Sequence, residues 1–281
     1  MRISGFTIVR NAVKYHYPAV ESIQSLLPIC DEFVVNVGDS EDETLKLIES
    51  IRDPKIKIIK CKWDFSKGKE VLSFETNRAL KECKGDWAFY LQSDEVIHEA
   101  DHGRLFSTMK SCLNDSDIEA IRFQWLHFYG SYFRYRIDKG WFQKQDRIIR
   151  NNGEIRSCGD AYGFERKDGK PIKRRHIYSL LYHYGWVHLP EVMAERRQNA
   201  ERIGFASLSA SEREARYVYG DLERFPAYFG THPAVMKKRV EAHKLSQEDW
   251  QNICRKYWWH PGKILRLRYK TPFRVKEKIE K

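Results

Sequence analysis

The chain has 281 residues, is 42% hydrophobic and carries a formal charge of +11. It can build one large domain or two smaller ones around a sizeable core, and it favours anionic partners such as nucleotides, nucleic acid or an acidic membrane surface. No apolar run approaches the ~18 residues of a membrane span, Met1-Arg2-Ile3-Ser4 opens without a leader pattern, and the six cysteines are scattered without a Cys-x-x-Cys pair. Spanning proteins and zinc or dithiol motifs are thereby set aside, and a cytoplasmic protein with reduced thiols is expected.

The predicted elements alternate. Ile3 to Val9 is β-branched and aromatic, a first strand ending in Arg10-Asn11. Pro18 opens a helix with Val20, Ile23, Leu26 and Leu27 on one face, and Pro28 closes it. Phe33 to Val37 is a second strand running into Gly38-Asp39-Ser40-Glu41-Asp42-Glu43-Thr44. There Ser40 and Glu43 have capping-box spacing before a helix carrying Leu45, Leu47, Ile48 and Ile51. A third strand spans Ile56 to Cys61, and another helix spans Leu72 to Leu80. Trp87 to Leu91 is a short aromatic run, read as a buried strand, that stops at Asp94 and Glu95. A helix follows at about Asp101 to Cys112 and a strand at Ala120 to Tyr129. Arg147 to Arg150 and Ile155 to Ser157 are short strands about an Asn151-Asn152-Gly153 turn. Ile177 to Val187 is apolar and aromatic. From Pro190 the pattern turns helical and charged, dividing the chain into 1-190 and a helical, basic extension, 191-281.

Strands alternating with helices at these spacings predict an α/β fold with a mostly parallel central sheet covered on both faces. The strand ends at Arg10-Asn11, Asn36 to Asp39 and Asp94-Glu95 then share one edge, where open α/β sheets bind ligands. No Gly-x-Gly-x-x-Gly follows the first strand and no P-loop occurs, which sets aside dinucleotide dehydrogenases and P-loop enzymes. Two carboxylates at a strand end suit a hard divalent cation, Mg²⁺ or Mn²⁺. The plainer reading is a helix cap at Ser93 or Asp94.

Four motifs in this order resemble the family 2 glycosyltransferases of the GT-A fold. They are Val9-Arg10-Asn11; the Gly38 to Thr44 loop, one residue longer than the family's acidic loop; Thr76-Asn77-Arg78-Ala79-Leu80; and Gly85-Asp86-Trp87 through Leu91-Gln92-Ser93-Asp94-Glu95. Gly140-Trp141 with Arg147-Ile148-Ile149-Arg150 is similar to the bacterial branch that builds lipopolysaccharide core and surface polysaccharides. The likeness covers about 3 to 190. It departs from the family at Gln92, which replaces the first Asp of Asp-x-Asp, and at Gly159-Asp160-Ala161-Tyr162-Gly163, which stands where a His-Glu pair is usual.

The resemblance implies a GT-A-like nucleotide-binding sandwich that transfers a sugar, a hexose by analogy, from a nucleotide-sugar donor with inversion. The acceptor would be a saccharide, lipid-linked or part of lipopolysaccharide. Asn11 and Asp39 would meet the base and ribose, with Arg10, Asn77, Arg78 and Ser93 beside the nucleotide and Lys69 near phosphate. Asp94 and Glu95 would hold Mg²⁺ or Mn²⁺, with His183 completing the shell and His188 second. An inverting transfer also needs a carboxylate base, for which Asp160 stands first and Asp146 and Glu154 are alternatives. Trp141 and Trp186 would stack on sugar. Each has a plainer reading: a core histidine, a solvated acid, a packed Trp, a charged helix face.

From Arg255 to Lys281 ten Lys or Arg stand against Glu277 and Glu280, with Trp258-Trp259 and Tyr269-Lys270 among them. Such a stretch docks on anionic lipid headgroups, giving peripheral contact with the inner face of a membrane, or is a solvated tail. Two other classes compete. A non-catalytic nucleic-acid-binding protein would use the same charge, but acidic residues concentrate where its binding face should be positive, and nucleic acid is not the expected partner. A nucleotidyltransferase on a similar fold would carry a Gly-rich basic first loop, which Arg10-Asn11-Ala12-Val13 is not.

Overall fold

A computed structural model describes residues 1–138, 144–205 and 217–257. Eleven strands form between these limits. They are β1 (Ile3–Val9), β2 (Glu32–Gly38), β3 (Ile56–Cys61), β4 (Trp87–Tyr90), β5 (Glu95–Ile97), β6 (Ala120–Tyr129), β7 (Ser131–Arg136), β8 (Lys144–Arg150), β9 (Ile155–Cys158), β10 (Gly163–Arg166) and β11 (Arg174–Trp186). The helices are α1 (Ala19–Leu26), α2 (Thr44–Glu49), α3 (Val71–Lys81), α4 (His102–Leu113), α5 (Pro190–Arg202), α6 (Lys237–Ala242) and α7 (Lys244–Tyr257).

The main sheet runs β3-β2-β1-β4-β8-β6-β11-β5, with β7 beside β6. β3, β2, β1 and β4 are parallel neighbours, as are β6 and β11. β8 enters antiparallel between β4 and β6. Side chains of alternate residues feed two cores, which is why the inner strands are apolar throughout. Trp87, Phe89 and Leu91 pack with Ile23, Leu26, Leu105 and Met109 of α1 and α4. Ala88 and Tyr90 pack with Phe6 and Val34, and with Ala79 and Leu80 of α3 on the opposite face. The α/β sandwich expected from the alternation is therefore present, and its parallel half sends Arg10, Asp39 and the 92–94 turn to one edge.

Three strands escape the sequence pattern. β5 has only three residues and begins with a carboxylate. β7 reads Ser-Tyr-Phe-Arg-Tyr-Arg, and its inward Arg134 is admitted because Asp249 of α7 accepts from Nε at 3.0 Å and from Nη2 at 3.1 Å. β9 and β10 form a separate hairpin, so β9 does not pair with β8 across Gly153. The capping box at Ser40 and Glu43 does not form either. Ser40 Oγ accepts the Asn11 N–H at 3.1 Å, and Asp42 accepts the Thr44 N–H at 2.9 Å at the head of α2.

Past Pro190, α5 lies along the carboxyl-end cavity. α6 is tied to the chain's beginning by Arg239, which donates to Glu21 at 2.7 Å and to the carbonyls of His16 and Tyr17. Among the described residues no helix is long and apolar enough to cross a membrane. Trp141, and the basic aromatic stretch from Trp258 onward, lie outside the described residues.

Candidate active site

The carboxyl ends of β1 and β4 open into a cavity of about 620 Å³. Arg10, Trp63 and Phe65 form one wall, the Gln92-Ser93-Asp94 turn and His183 the floor, and Asp160-Ala161 a second wall. Met193, Arg196, Arg197 and Ile203 of α5 and its end close the third. Three guanidinium groups, Arg10, Arg196 and Arg197, thus line a recess whose floor holds a carboxylate.

Asp94 is buried on that floor. Its Oδ2 lies 3.6 Å from His183 Nε2 and 3.8 Å from Arg196 Nη2, both beyond hydrogen-bond distance. Burial pushes the Asp94 carboxyl above its usual range, with Arg196 pulling the other way. Burial also drives the His183 imidazole down to about 4, so it is neutral at pH 7 despite the nearby Glu95 charge. Its Nδ1 is 3.0 Å from Nδ1 of His127. The approach of β11 to Asp94 depends on Gly185, where a Cβ would stand 2.4 Å from Asp94 Oδ2 and 2.8 Å from the His183 ring. The Gly185 carbonyl accepts from Arg196, whose guanidinium also lies over Tyr17 at 4.7 Å.

Glu95 does not share this floor. It is fully buried and accepts from Arg147 Nε and Nη2, each at 2.8 Å, from Trp125 Nε1 at 2.9 Å and from the Gln92 N–H at 2.9 Å. With its lone pairs committed it is a structural anion, not a cation ligand. Asp146 is likewise removed as a base. Arg122 donates to it at 2.7 and 3.0 Å and Arg174 at 2.8 Å, away from the cavity. Burial pushes its carboxyl up, but those arginines outweigh it and hold it below the usual range.

The nucleotide residues divide. Arg10 and Ser93 line the cavity, and Arg10 donates to the Asp39 carbonyl at 3.0 Å while lying 4.7 Å over Phe65. Asp39 is exposed and absent from the lining, and it holds this wall by its Oδ1, which accepts the Trp63 N–H at 3.0 Å. Asn11 is buried and also absent from the lining, with Oδ1 accepting the Glu41 N–H at 2.8 Å. Asn77 faces away from the cavity. It clamps Ser157 by donating to its carbonyl at 2.9 Å and accepting its N–H at 2.8 Å. Arg78 pairs with Glu75 at 3.2 Å and, like Lys69, does not reach the lining. His188 is buried edge-on against Tyr17 and does not line the cavity, whereas among the described residues His183 does. Trp186 does line it; Glu154 does not.

Asp160 sits in the β9–β10 turn between Gly159 (φ 57°) and Ala161 (φ 60°). A non-glycine residue held at positive φ is strained, and such strain gathers at functional positions. The turn aims Asp160 at the cavity and leaves its Oδ1 buried without a hydrogen-bond donor. Gln92 Nε2 donates to the Ala161 carbonyl at 3.3 Å, tying the floor to this wall. An aspartate at 92 has no N–H to give, which supplies a physical reason for the departure from Asp-x-Asp.

The α5 arginines and the wall of Tyr15, Tyr17, Phe65 and Tyr217 were not singled out from the sequence. Arg196 and Arg197 read there as part of a charged helix face. Only the helix's place after the His183 strand marks them.

Among the described residues no group of three or more His, Cys, Asp or Glu is arranged to hold a metal ion. The donor set nonetheless fits a divalent cation completed by its substrate. Mg²⁺ and Mn²⁺ take one or two protein ligands and fill their remaining positions with phosphate oxygens and water. A carboxylate oxygen and a neutral imidazole nitrogen 3.6 Å apart, not bonded to each other, are such a pair.

No protein-family model matches the chain, and no curated protein matches it in sequence. Among solved structures it is similar to S. aureus TarS, at 20% identity and a TM-score of 0.43, over 76% of this chain but only 41% of that one. It is also similar to glucosyl-3-phosphoglycerate synthase from Mycobacterium tuberculosis in complex with Mn²⁺, UDP and phosphoglyceric acid. There the identity is 13% and the TM-score 0.40, over 73% of this chain and 80% of that one. A third is 4-diphosphocytidyl-2C-methyl-D-erythritol synthase from Anaerococcus prevotii, at 10% identity and a TM-score of 0.39, over 70% and 96%. Likenesses this remote leave the activity to be argued from the chain's own residues.

Proposed function

We propose that this chain is an inverting glycosyltransferase of the family 2 type, moving a hexose from a nucleotide-sugar donor to a saccharide acceptor. The observation that carries the reading is the cavity floor. Asp94 Oδ2 and His183 Nε2 face one another uncommitted at the carboxyl ends of parallel strands, under Arg10, Arg196 and Arg197. A carboxylate, a neutral imidazole and three cations around one recess suit a metal diphosphate. Mn²⁺ or Mg²⁺ held by Asp94 and His183 would supply charge neutralisation of the leaving diphosphate.

The remaining steps belong to the chain. Arg10 and Ser93 bind the donor's nucleotide end, while Asp39 holds Arg10 and Trp63 and Asn11 holds the Ser40-Glu41 loop beside them. Arg196 meets developing negative charge on the leaving group. Asp160 takes the acceptor's hydroxyl proton as its oxygen forms the new bond to the anomeric carbon and the bond to diphosphate breaks. Trp186 offers a face for sugar stacking. We take 1-190 as the transferase unit and 191-281 as a basic extension whose first helix completes the cavity. A lipopolysaccharide acceptor rests on the resemblance carried by Gly140-Trp141 and Arg147 to Arg150, and a lipid-linked acceptor with a station on the inner membrane face rests on the charge of the terminal stretch.

The test is a panel of sugar nucleotides with and without Mn²⁺, scored for released nucleoside diphosphate. Release that needs the ion and vanishes in Asp94→Asn supports the reading. Release of inorganic pyrophosphate from nucleoside triphosphates would replace it with nucleotidyl transfer, and tight oligonucleotide binding without turnover would replace it with a binding module.

A further inference from the structure

β6 and β11 run parallel in a register that sets His127 directly beside His183. Their Nδ1 atoms are 3.0 Å apart, with ring centroids 4.7 Å apart and planes at 74°. Two imidazole nitrogens at that distance share one proton, so one ring donates and the other accepts. His183 Nε2 faces Asp94 Oδ2. A neutral ring has one N–H, so Nε2 presents a lone pair only when the proton sits on Nδ1. The Nδ1 of His127 must then be the acceptor.

We infer that His127 is a positioning residue that fixes His183 in the tautomer whose Nε2 lone pair faces Asp94. This rests on the reading of Asp94 and His183 as a cation site. His127 is buried and absent from the cavity lining, and its hydrogen-bonding link to the site runs through His183. The planes of both rings are set by Trp125, whose centroid is 4.6 Å from His127 and 5.5 Å from His183. Trp125 in turn is held by its Nε1–H on Glu95, and Glu95 by Arg147. The buried column that withdraws Glu95 from the ion thus orients the imidazole that stays with it. Outer partners of this kind typically change metal affinity by about 10- to 100-fold.

The test uses the full chain and Mn²⁺ alone, titrated by the electron paramagnetic resonance of free Mn²⁺, in wild type, D94N, H183A, H127L and H127N. Asn places an acceptor oxygen near the position of Nδ1, and Leu has none. The expectation is loss of the site in D94N and H183A, weakening by about 10- to 100-fold in H127L, and substantial rescue in H127N. A folded H127L that binds Mn²⁺ as wild type does would overturn the inference while the cation site stood. Wild type binding no better than D94N would remove the cation site, and this inference with it. Nitrogen-15 chemical shifts of histidine-labelled wild type give a readout independent of any variant. A His183 protonated at Nδ1 and bare at Nε2 supports the assignment, and a proton on Nε2 overturns it.

Discussion

Asp94 and Glu95 are neighbours in the chain, and the two regions they enter differ in one respect. Glu95 opens β5 and turns inward, where four donors occupy its oxygens. Asp94 stays in the turn before it, with its nearest imidazole and cationic atoms at 3.6 and 3.8 Å. Both side chains are buried, so burial does not separate site from scaffold. What separates them is whether the lone pairs are already taken. Asp146, bonded by two arginines, falls with Glu95. Asp160, with an oxygen lacking a donor, falls with Asp94.

The comparison breaks most sharply at the adjacent pair. Glu95→Gln leaves the Arg147 guanidinium buried and unneutralised. Breaking such a pair costs about 3–5 kcal/mol, to be read from denaturant midpoints. Asp94→Asn should leave that midpoint within about 1 kcal/mol and lower turnover by about 10³-fold, near 4 kcal/mol. The reverse assignment of the two losses would exchange their roles. Next comes Asp160→Asn, expected to lower kcat by about 10²- to 10⁴-fold with little change in KM. Asp146→Asn should lower stability instead and leave kcat per folded molecule unchanged.

The same contrast extends to imidazoles. His232 is packed against Phe128 and bonded to Tyr184 at 2.9 Å, and burial lowers it to about 3. Its folded value lies below its unfolded one, so the unfolded chain binds the extra proton. The contribution is full above the unfolded value near 6.5 and fades as pH falls toward 3. By pH 4 the loss is on the order of 3 kcal/mol. A melting-temperature profile should fall on acidification, and His232→Asn, which keeps an acceptor for Tyr184, should flatten it.

The smallest expected effect is at Gln92. Gln92→Asp would create the Asp-x-Asp of family 2 glycosyltransferases, yet it removes the N–H that holds Ala161. We expect lower kcat by about tenfold, the value of roughly one hydrogen bond, rather than a gain. A gain would mean that a second carboxylate belongs on the floor.

The parallel half of the sheet was legible because strands such as Ile3–Val9 and Ile56–Cys61 are β-branched runs bounded by turn residues. The place of Asp94 and Asp160 on the cavity was legible because each follows a short strand-like run, whereas His183 lies within its strand and was picked out by the resemblance alone. Glu95 was misassigned because nothing local to it announces Arg147, which lies 52 residues on. β7 was missed for the same reason, since Arg134 needs Asp249 to be buried. The importance of Gly185 was hidden as well, because a close approach between two chain segments leaves no periodicity to read.

The central claim is that the Asp94 floor grips a metal diphosphate. The most direct measurement is calorimetric titration of a set of nucleoside diphosphates into the full chain, with and without Mn²⁺, repeated on Asp94→Asn. The account predicts that at least one binds, that Mn²⁺ tightens it, and that Asp94→Asn abolishes the tightening. Nucleoside diphosphates that bind equally well to the folded Asp94→Asn variant, or that never bind at all, would contradict it.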